Sequence, residues 1–309
     1  MSKYLVTGGA GFIGSHLVEA LQAAGHDVAV LDNLSTGKTR NLPAGARLYI
    51  GDVADPKEVE YAIAGAEGVF HLAAVASVQK SVQDWAGTHR TNLGGTVAVL
   101  NAARAKRLPV VYASSAAVYG NNVNIPLAES AETKPLTAYG ADKLGSEQHA
   151  LVGRQAFGIP TMGLRFFNIY GPRQDPHSPY SGVISIFTTK VAAGHPIRIY
   201  GDGKQTRDFV YVSDVVRAMQ RAMTMLETNG ADTPAVLNVC TGHQTSVQSL
   251  AEAVMNAWGV KVPLEFGEMR VGDIRFSVGD DRRVREVLQL GGWVTLSEGL
   301  KHLHAAASA

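Results

Sequence analysis

Short apolar runs alternate with amphipathic helical patterns through about the first 165 residues of this chain. The runs with the length and composition of buried strands are Tyr4–Val6, Val28–Leu31, Leu48–Ile50, Gly68–Leu72, Val110–Ala113 and Thr161–Phe166. The segments with apolar residues at three- and four-residue spacing are Phe12–Ala24, Pro56–Ala64, Thr88–Lys106 and Ala138–Phe157. Strands separated by helices pair in parallel through right-handed crossovers. The alternation therefore predicts an α/β fold with a doubly wound parallel sheet of the Rossmann type.

This alternation ends after Gly171-Pro172, where loops become more frequent. Further helices are predicted at Val183–Ala193, Asp214–Met225 (with Asp214 as its N-cap), Val247–Trp258 and Ser297–His304. We expect residues 1–166 to form a dinucleotide-binding domain and residues 167–309 a smaller substrate lobe. Part of 205–242 is expected to pack back on the first domain.

The charge balance and the cysteine content restrict the partners of the chain. Its 309 residues include 28 Lys and Arg against 27 Asp and Glu, which gives a net charge of +1. Without a basic block, neither nucleic acid nor an anionic membrane surface is an expected partner. No apolar stretch approaches the length of a membrane span, no secretory signal is recognisable, and Cys240 is the single cysteine. We therefore expect a cytoplasmic protein, and the histidine spacing indicates no metal site.

A glycine-rich turn follows the first predicted strand. The segment Thr7–Gly14 places Gly8, Gly11 and Gly14 before a helix that also contains Phe12 and Ile13. Glycines let the backbone approach a diphosphate closely, and the free N–H groups of a helix N-terminus attract the anion. Because this G-x-x-G-x-x-G pattern lies between a strand and a helix, it predicts a dinucleotide site.

The residues at the ends of the next strands favour NAD as the dinucleotide. Asp32, followed by Asn33, lies 18 residues after Gly14, where its carboxylate can accept from both adenosine ribose hydroxyls and repel a 2′-phosphate. Asp52, before Val53, could accept from the adenine amino group or serve as a turn residue. The fourth strand closes with residues that leave room for NAD, namely Leu72, Ala73 and Ala74.

Three residues predict redox chemistry at the same edge of the sheet. Tyr139 and Lys143 lie four residues apart on a helix and therefore on one face. Ser115 lies 24 residues before Tyr139, at the carboxyl end of a strand. A phenol has a pKa near 10, so a base at neutral pH needs stabilisation of its phenolate. Lys143 and a nicotinium charge can supply it, while Ser115 hydrogen-bonds the reacting oxygen.

These motifs resemble the extended short-chain dehydrogenase/reductases that act on nucleotide sugars. The resemblance rests on Thr7–Gly14, Asp32-Asn33-Leu34, His71–Ala74, Ser114–Gly120, Tyr139 with Lys143, and Arg165–Gln174, and it runs nearly end to end. Within that family the chain is most similar to UDP-hexose 4-epimerases, including those that handle UDP-GlcNAc and UDP-GalNAc. The resemblance implies that Tyr139 is the base, Lys143 binds the nicotinamide ribose and tunes Tyr139, and Ser115 holds the sugar 4-oxygen.

The residues after Ser115 discriminate between reactions within the family. Related 4,6-dehydratases carry an Asp-Glu pair where this chain has Ala116 and Ala117, and related UDP-glucuronate decarboxylases usually have Glu at the position of Ala117. The resemblance therefore implies reversible hydride transfer at C4. Many epimerases have Ser or Thr at the position of Ala117, so one hydroxyl contact to the sugar is absent here.

The resemblance also implies the substrate contacts. Asn168, Arg207 and Arg270 match family residues that contact the substrate diphosphate, and Asp273 matches one that binds the uridine ribose. Each arginine could instead form a surface or interlobe ion pair. In similar epimerases the position of Ser277 faces the sugar 2-substituent, and a Tyr there excludes N-acetyl groups. The resemblance implies that Ser277 leaves space, so we expect UDP-GlcNAc and UDP-GalNAc to be accepted; the alternative is that Ser277 lies in a loop and another side chain narrows the pocket.

Two alternatives to an epimerase remain open, together with the oligomeric state. Another nucleotide-sugar epimerase or a reductase of the same family would differ in its need for external NADH. A non-catalytic NAD-binding regulator predicts a degraded catalytic set, whereas Ser115, Tyr139 and Lys143 are intact. The segments Thr88–Lys106 and Ala138–Phe157 match the helices of a four-helix dimer interface in this family, which implies a homodimer.

Overall fold

The computed structural model describes residues 1–175, 182–269 and 274–307. Its strands are β1 Lys3–Thr7, β2 Asp27–Asp32, β3 Arg47–Ile50, β4 Gly68–His71, β5 Val110–Ser115, β6 Thr161–Phe166, β7 Asn168–Tyr170, β8 Ile197–Tyr200, β9 Thr206–Arg207, β10 Phe209–Tyr211, β11 Val236–Val239, β12 Thr245–Ser246, β13 Leu264–Gly267 and β14 Phe276–Ser277. Its α-helices are α1 Phe12–Ala23, α2 Pro56–Ala62, α3 Val78–Gln83, α4 Trp85–His89, α5 Gly95–Arg104, α6 Ala138–Phe157, α7 Val183–Ala192, α8 Val212–Asn229, α9 Val247–Trp258, α10 Arg282–Leu288 and α11 Leu296–Ala307.

A seven-stranded parallel sheet forms the centre of the molecule, in the order β11-β6-β5-β4-β1-β2-β3. Helices α1 and α8 pack together on one face, and α2, α5 and α6 cover the other. The strand order reverses between β1 and β4, because successive crossovers lead outward from β1 on both sides. This arrangement is the predicted doubly wound α/β fold, which is confirmed.

The second half of the chain adds a small lobe and returns one strand to the sheet. The lobe contains the pairs β8–β13 and β7–β10 and the three-stranded sheet β12-β9-β14. Helices α7, α9 and α11 pack around a shared apolar core that includes Ile184, Leu250 and Leu300. Strand β11, within the segment expected to pack back on the first domain, lies at the edge of the central sheet beside β6.

Two local predictions differ from the structure. The segment predicted as one helix from Thr88 to Lys106 consists of α4, a π-helical turn at Arg90–Gly94, and α5. The predicted N-cap role of Asp214 is wrong, because β10 leads directly into α8 and Tyr211 takes the cap position. The buried Asp214 carboxylate instead accepts from the backbone N–H of Val294 at 2.8 Å, and so fastens the end of the chain to α8.

Over the three described ranges, no helix combines the length and apolar character that crossing a membrane requires.

Candidate active site

A cavity of about 620 Å³ opens at the carboxyl ends of β1 and β4, where the strand order reverses. Doubly wound sheets bind ligands at this point. The predicted site residues that line the cavity are Gly8, Gly11, Phe12, Ile13, Gly14, Asp32, Asn33, Val53, Leu72, Ala73, Ala74, Ser115, Tyr139 and Lys143. The structure thus brings the predicted glycine turn and the predicted catalytic trio to one cavity.

The glycine turn leaves no space for side chains. Gly8 adopts a φ of +71°, and a Cβ there would lie 2.7 Å from the backbone nitrogen of Ala73. A Cβ on Gly14 would overlap the carbonyl oxygen of Gly8. Gly11 is the N-cap of α1 and offers no side chain to its first N–H groups. Backbone donors beside an open cradle fit a dinucleotide diphosphate.

Asp32 is fixed at the rim of the cavity by two backbone hydrogen bonds. Its Oδ2 accepts from Ala10 N at 2.9 Å, and its Oδ1 accepts from Leu34 N at 2.8 Å. A carboxylate has about four lone-pair sites, so this anchored side chain retains the capacity to accept from two ribose hydroxyls. The donor set of the cavity therefore fits NAD.

Asp52 makes local contacts and does not line the cavity. One carboxylate oxygen accepts from Ala54 N at 2.9 Å, which is a turn contact, and the other accepts from Arg90 at 3.1 Å. Gly51, Val53 and Arg90 line the cavity. The turn role thus has a geometric basis, and the adenine contact of Asp52 stays a prediction.

His71 closes β4 as a fully buried neutral imidazole. Its Nδ1 lies 2.8 Å from the Thr7 hydroxyl and its Nε2 lies 3.1 Å from the Thr96 hydroxyl. Burial, with a smaller contribution from the Lys143 charge, lowers the pKa of His71 to about 3. The ring therefore ties β1, β4 and α5 together without adding charge to the site.

The predicted catalytic trio is assembled from β5 and the first turns of α6. Thr137 caps α6 by accepting from Gly140 N at 3.0 Å, which places Tyr139 in the first turn. Ser115 ends β5 and forms a side-chain hydrogen bond with Tyr139. The Lys143 ammonium donates to the Ala113 carbonyl at 2.8 Å and lies 5.8 Å from the centroid of the Tyr139 ring.

Burial favours the neutral form of both titratable groups in this trio. Removal from water raises the pKa of Tyr139, and the hydrogen bond with Ser115 opposes that increase. Removal from water also lowers the pKa of Lys143 to about 8, and the neighbouring Asp142 carboxylate opposes that decrease. The ionised form of Tyr139 therefore depends on positive charge close to the phenol.

A buried ion pair between α6 and β6 lies next to the trio. Both oxygens of Glu147, one turn after Lys143 on α6, accept from Arg165 on β6, at 2.9 and 2.7 Å. Ser114, the neighbour of Ser115, donates to Glu147, and Arg165 also donates to the Tyr119 hydroxyl at 2.8 Å. The network fixes the end of β5, the turn that follows it and α6 relative to one another.

Sequence reasoning missed several polar residues around the cavity. Lys80, Arg90 and Gln174 line it. Buried Asn92, in the π-helical turn, accepts from Val75 N at 2.8 Å and donates to Val75 O at 3.3 Å, which holds the cavity loop after β4. The polar Asn92 within an amphipathic helical pattern indicates a side-chain contact outside the helix. The apolar spacing gives no indication that Lys80 or Gln174 reaches the cavity.

Comparison with known proteins identifies the family. The model described as the NAD dependent epimerase/dehydratase family matches residues 4–240. The chain belongs to this family.

The most similar members include one curated relative and two solved structures. A UDP-glucose 4-epimerase from Mycolicibacterium smegmatis is 38% identical over 306 residues, 96% of each chain. The UDP-glucose 4-epimerase from Thermotoga maritima, solved with UDP-glucose, superposes with a TM-score of 0.93 at 36% identity, covering 99% of this chain and 98% of that one. The UDP-N-acetylglucosamine 4-epimerase from Methanobrevibacter ruminantium M1, solved with UDP-N-acetylmuramic acid, has a TM-score of 0.93 at 32% identity with the same coverage.

The epimerase/dehydratase family is NAD dependent, which confirms the predicted cofactor, and the resemblance drawn from the motifs is confirmed as well. The Gly8–Gly14 cradle and the anchored Asp32 are the features of this chain that fit NAD. The parts of the chain with assigned structure contain no group of three or more His, Cys, Asp or Glu suited to a metal ion.

The predicted substrate residues lie partly outside the cavity of this family member. Asn168 begins β7, and its N–H donates to the Asp208 carbonyl at 3.0 Å. Arg207 on β9 and Ser277 on β14 are register partners, and the Arg207 guanidinium donates to Thr206 O and Ile274 O. These three side chains do not line the cavity, and Arg270 and Asp273 lie outside the described residues.

Proposed function

We propose that the chain catalyses reversible C4 epimerisation of a UDP-hexose through a 4-keto intermediate, with tightly bound NAD. The substrates are UDP-GlcNAc and UDP-GalNAc, alongside UDP-Glc and UDP-Gal. The observation that carries the proposal is the placement of Ser115, Tyr139 and Lys143 in the cavity that also contains the glycine turn. Its membership of the epimerase/dehydratase family supports the same reaction class.

The described residues supply proton transfer and positioning. Tyr139 as phenolate would remove the proton from the 4-hydroxyl. NAD, held by the glycine turn and Asp32, would supply reversible hydride transfer at C4. Ser115 hydrogen-bonds the 4-oxygen as it becomes a carbonyl, and the Lys143 ammonium stabilises the phenolate. Once the keto sugar has presented its opposite face to the cofactor site, Tyr139 would return the proton to the 4-oxygen.

The surroundings of Ser115 support epimerisation over elimination. Ala116 and Ala117 form the turn after β5, at the positions where dehydratases would need an acid and a base. In the described part of the cavity wall, the carboxylates are Asp32, held by Ala10 and Leu34, and Asp84, which caps α4 by accepting from Gly87 N at 3.0 Å. Neither lies in the turn after Ser115, where the dehydratases carry their Asp-Glu pair, so the described residues supply no such pair at those two positions.

The UDP moiety is proposed to provide most of the binding free energy, remote from the reacting carbon. Asn168, Arg207 and Arg270 would bind the diphosphate and Asp273 the uridine ribose, because a guanidinium fork suits phosphate oxygens. A nucleotide held in this way leaves the sugar free to rotate between its two faces. Ser277 would leave space for a 2-N-acetyl group.

A second reaction has support from one relative. A UDP-N-acetyl-α-D-glucosaminuronate decarboxylase from Bacillus cytotoxicus is 35% identical over 261 residues, 82% of this chain. Decarboxylation would consume a sugar acid irreversibly and release CO₂. Ala117 disfavours decarboxylation, because related UDP-glucuronate decarboxylases usually have Glu at this position.

A deuterium label at C4 of the sugar tests the reaction directly. Purified protein is incubated with UDP-[4-²H]GlcNAc in H₂O, with no added NADH. The proposal predicts UDP-GalNAc that retains the deuterium at C4, since the hydride returns within the same site, and Tyr139→Phe should slow turnover by about 10² or more. Loss of the label to solvent, or product without a change at C4, would refute the closed redox cycle.

The assembly and the location are proposed as well. The catalytic helix α6 and the neighbouring α5 carry half-exposed or exposed apolar side chains at Val97, Leu151, Val152 and Phe157. These fit the expected four-helix interface of a homodimer, and a UDP-sugar epimerase with a buried, unpaired Cys240 fits the cytoplasm.

A further inference from the structure

Asp142 is a buried carboxylate in the second turn of the catalytic helix. It lies on α6 between Tyr139 and Lys143 and is 4% exposed. Its Oδ1 lies 2.7 Å from Nδ1 of His89, the last residue of α4, whose side chain is 55% exposed. Its Oδ2 is buried and has no hydrogen-bond partner among the described residues.

An ionised carboxylate in this position destabilises the folded state unless a nearby positive charge compensates it. Burial of an ionised carboxylate without full hydrogen bonding is strongly unfavourable. Lys143 follows Asp142 directly in the chain, is itself 4% exposed, and has its ammonium on the neutral Ala113 carbonyl. Both side chains are removed from solvent at adjacent positions of α6, so their charges interact with little screening by water.

Three further ionisable groups on β4 and α6 do not replace Asp142. His71 of β4 is buried with a pKa lowered to about 3, so it is neutral. Glu147, one turn further along α6, has both oxygens on Arg165 of β6, which balances its charge. Burial raises the pKa of Tyr139, so without a positive charge beside it the phenol is neutral.

We propose that Asp142, held by His89, is a positioning residue that keeps Lys143 in its charged form, so that the ammonium can stabilise the Tyr139 phenolate. The electrostatic direction agrees with this geometry, since burial lowers the pKa of Lys143 to about 8 and Asp142 opposes that effect. The catalytic consequence rests on the proposed epimerase reaction, whereas the effect on Lys143 itself does not.

The charge state of Lys143 can be measured without turnover. We would titrate the ¹³Cε resonance of Lys143 in the NAD-loaded protein, assigned with Lys143→Arg, in wild type, Asp142→Asn and Asp142→Ser. A neighbouring opposite charge shifts a pKa by about one unit or more, so both neutral variants should lower the pKa of Lys143 by at least that amount. Asp142→Glu keeps the charge and should retain most of the wild-type value, and Asp232→Asn, which removes an exposed carboxylate, should match wild type.

Kinetics of the same variants separate this role from a structural one. With a pKa near 8 in wild type and one unit lower in Asp142→Asn, the charged fraction of Lys143 at pH 8 falls about fivefold. The kcat at pH 8 should fall by that factor, and by less than about twofold at pH 6.5. A structural defect would lower kcat evenly across the pH range.

Each outcome of the titration decides the proposal. An unchanged pKa of Lys143 in the neutral variants, or an equal decrease in Asp142→Glu, would overturn it. Asp142→Ser serves if Asp142→Asn fails to fold, because Ser leaves no buried amide without a partner. Absence of epimerisation by wild type would refute the proposed function and leave the titration result intact.

Discussion

Burial disfavours the charged form of three residues beside the cavity. It raises the pKa of Tyr139, lowers that of Lys143 to about 8, and lowers that of His71 to about 3. In each case the low-dielectric surroundings disfavour the charged form. Local charges and hydrogen bonds therefore determine which group is ionised during the reaction.

His71 makes the stability of the protein sensitive to acid. Its pKa is about 3 in the folded state and about 6.5 when unfolded, so the unfolded chain binds the additional proton below pH 6.5. The stabilising contribution is complete above pH 6.5 and is lost as the pH falls towards 3. Between pH 7 and pH 5 the free energy of unfolding should fall by about 2 kcal/mol more in wild type than in His71→Asn, as measured by urea denaturation.

A matched control for this experiment is the exposed His195. His195→Asn should retain the pH dependence of wild type. Equal slopes in wild type and His71→Asn would show that the imidazole does not titrate as its burial implies.

Ser277 is the residue through which substrate choice can be tested. If Ser277 leaves space for the 2-N-acetyl group, Ser277→Tyr should reduce kcat/KM for UDP-GlcNAc by about tenfold or more through steric exclusion, with little change for UDP-Glc. Ser277→Ala should retain both activities. Equal loss on both substrates in Ser277→Tyr would remove the gatekeeper role.

At the scale of elements, α6 connects the chemistry to the core. Tyr139, Lys143 and Glu147 recur at four-residue spacing and therefore share one face of the helix, directed at the ends of β5 and β6. The first two line the cavity, and Glu147 continues the same face into the buried network with Arg165. Displacement of this ion pair would consequently affect the position of the proposed catalytic residues.

Glu147→Gln should destabilise the fold strongly, because it leaves the buried Arg165 charge uncompensated. The expected loss is about 3 kcal/mol or more in the free energy of unfolding from urea denaturation. The control is Glu132→Gln, which breaks an exposed pair with Lys134 and should cost less than about 1 kcal/mol. Similar small losses in both variants would show that the network does not support the fold.

The sequence predicted the regular elements better than their junctions. Strands β1 to β6 and helices α1 and α6 follow from apolar spacing, since each depends on a local pattern. The π-helical turn at Arg90–Gly94 contains Asn92, whose hydrogen bond to Val75 is a tertiary contact that spacing does not encode. Asp214 resembles an N-cap in sequence, but its partner Val294 is 80 residues away.

The same limit applies to the candidate site. The residues on the glycine turn and on α6 are predictable because a motif and a helical period fix them. Lys80 and Gln174 reach the cavity only through the path of loops and short helices. The pairing of Asp142 with His89 likewise joins residues that are 53 positions apart.

At the scale of the whole molecule, the sheet positions the cofactor cradle and the second lobe borders it. The loop after β7 contacts α1, since Arg173 pairs with Glu19 at 2.6 Å and His16 lies 3.0 Å from the Pro172 carbonyl. Lys38, in the loop after β2, pairs with Asp175 at 3.2 Å. The glycine turn and the second half of the chain are thereby fastened together beside the cavity.

The proposed homodimer is testable through the exposed apolar residues of α6. Sedimentation of wild type at micromolar concentration should give a dimer. Val152→Glu should give a monomer, because a charge would be buried in the proposed interface, whereas Ile186→Glu on α7, at a similarly exposed position, should stay dimeric. A monomeric wild type would contradict the assembly.

The central claim is a self-contained C4 redox cycle on a UDP-hexose. The most direct measurement is incubation of the purified protein with UDP-GlcNAc and, separately, UDP-Glc, without added NADH, with the C4 epimers resolved by proton NMR. We predict the formation of UDP-GalNAc and UDP-Gal, each approaching a constant ratio to its substrate. No epimer from either substrate, with protein shown to contain NAD, would contradict the account.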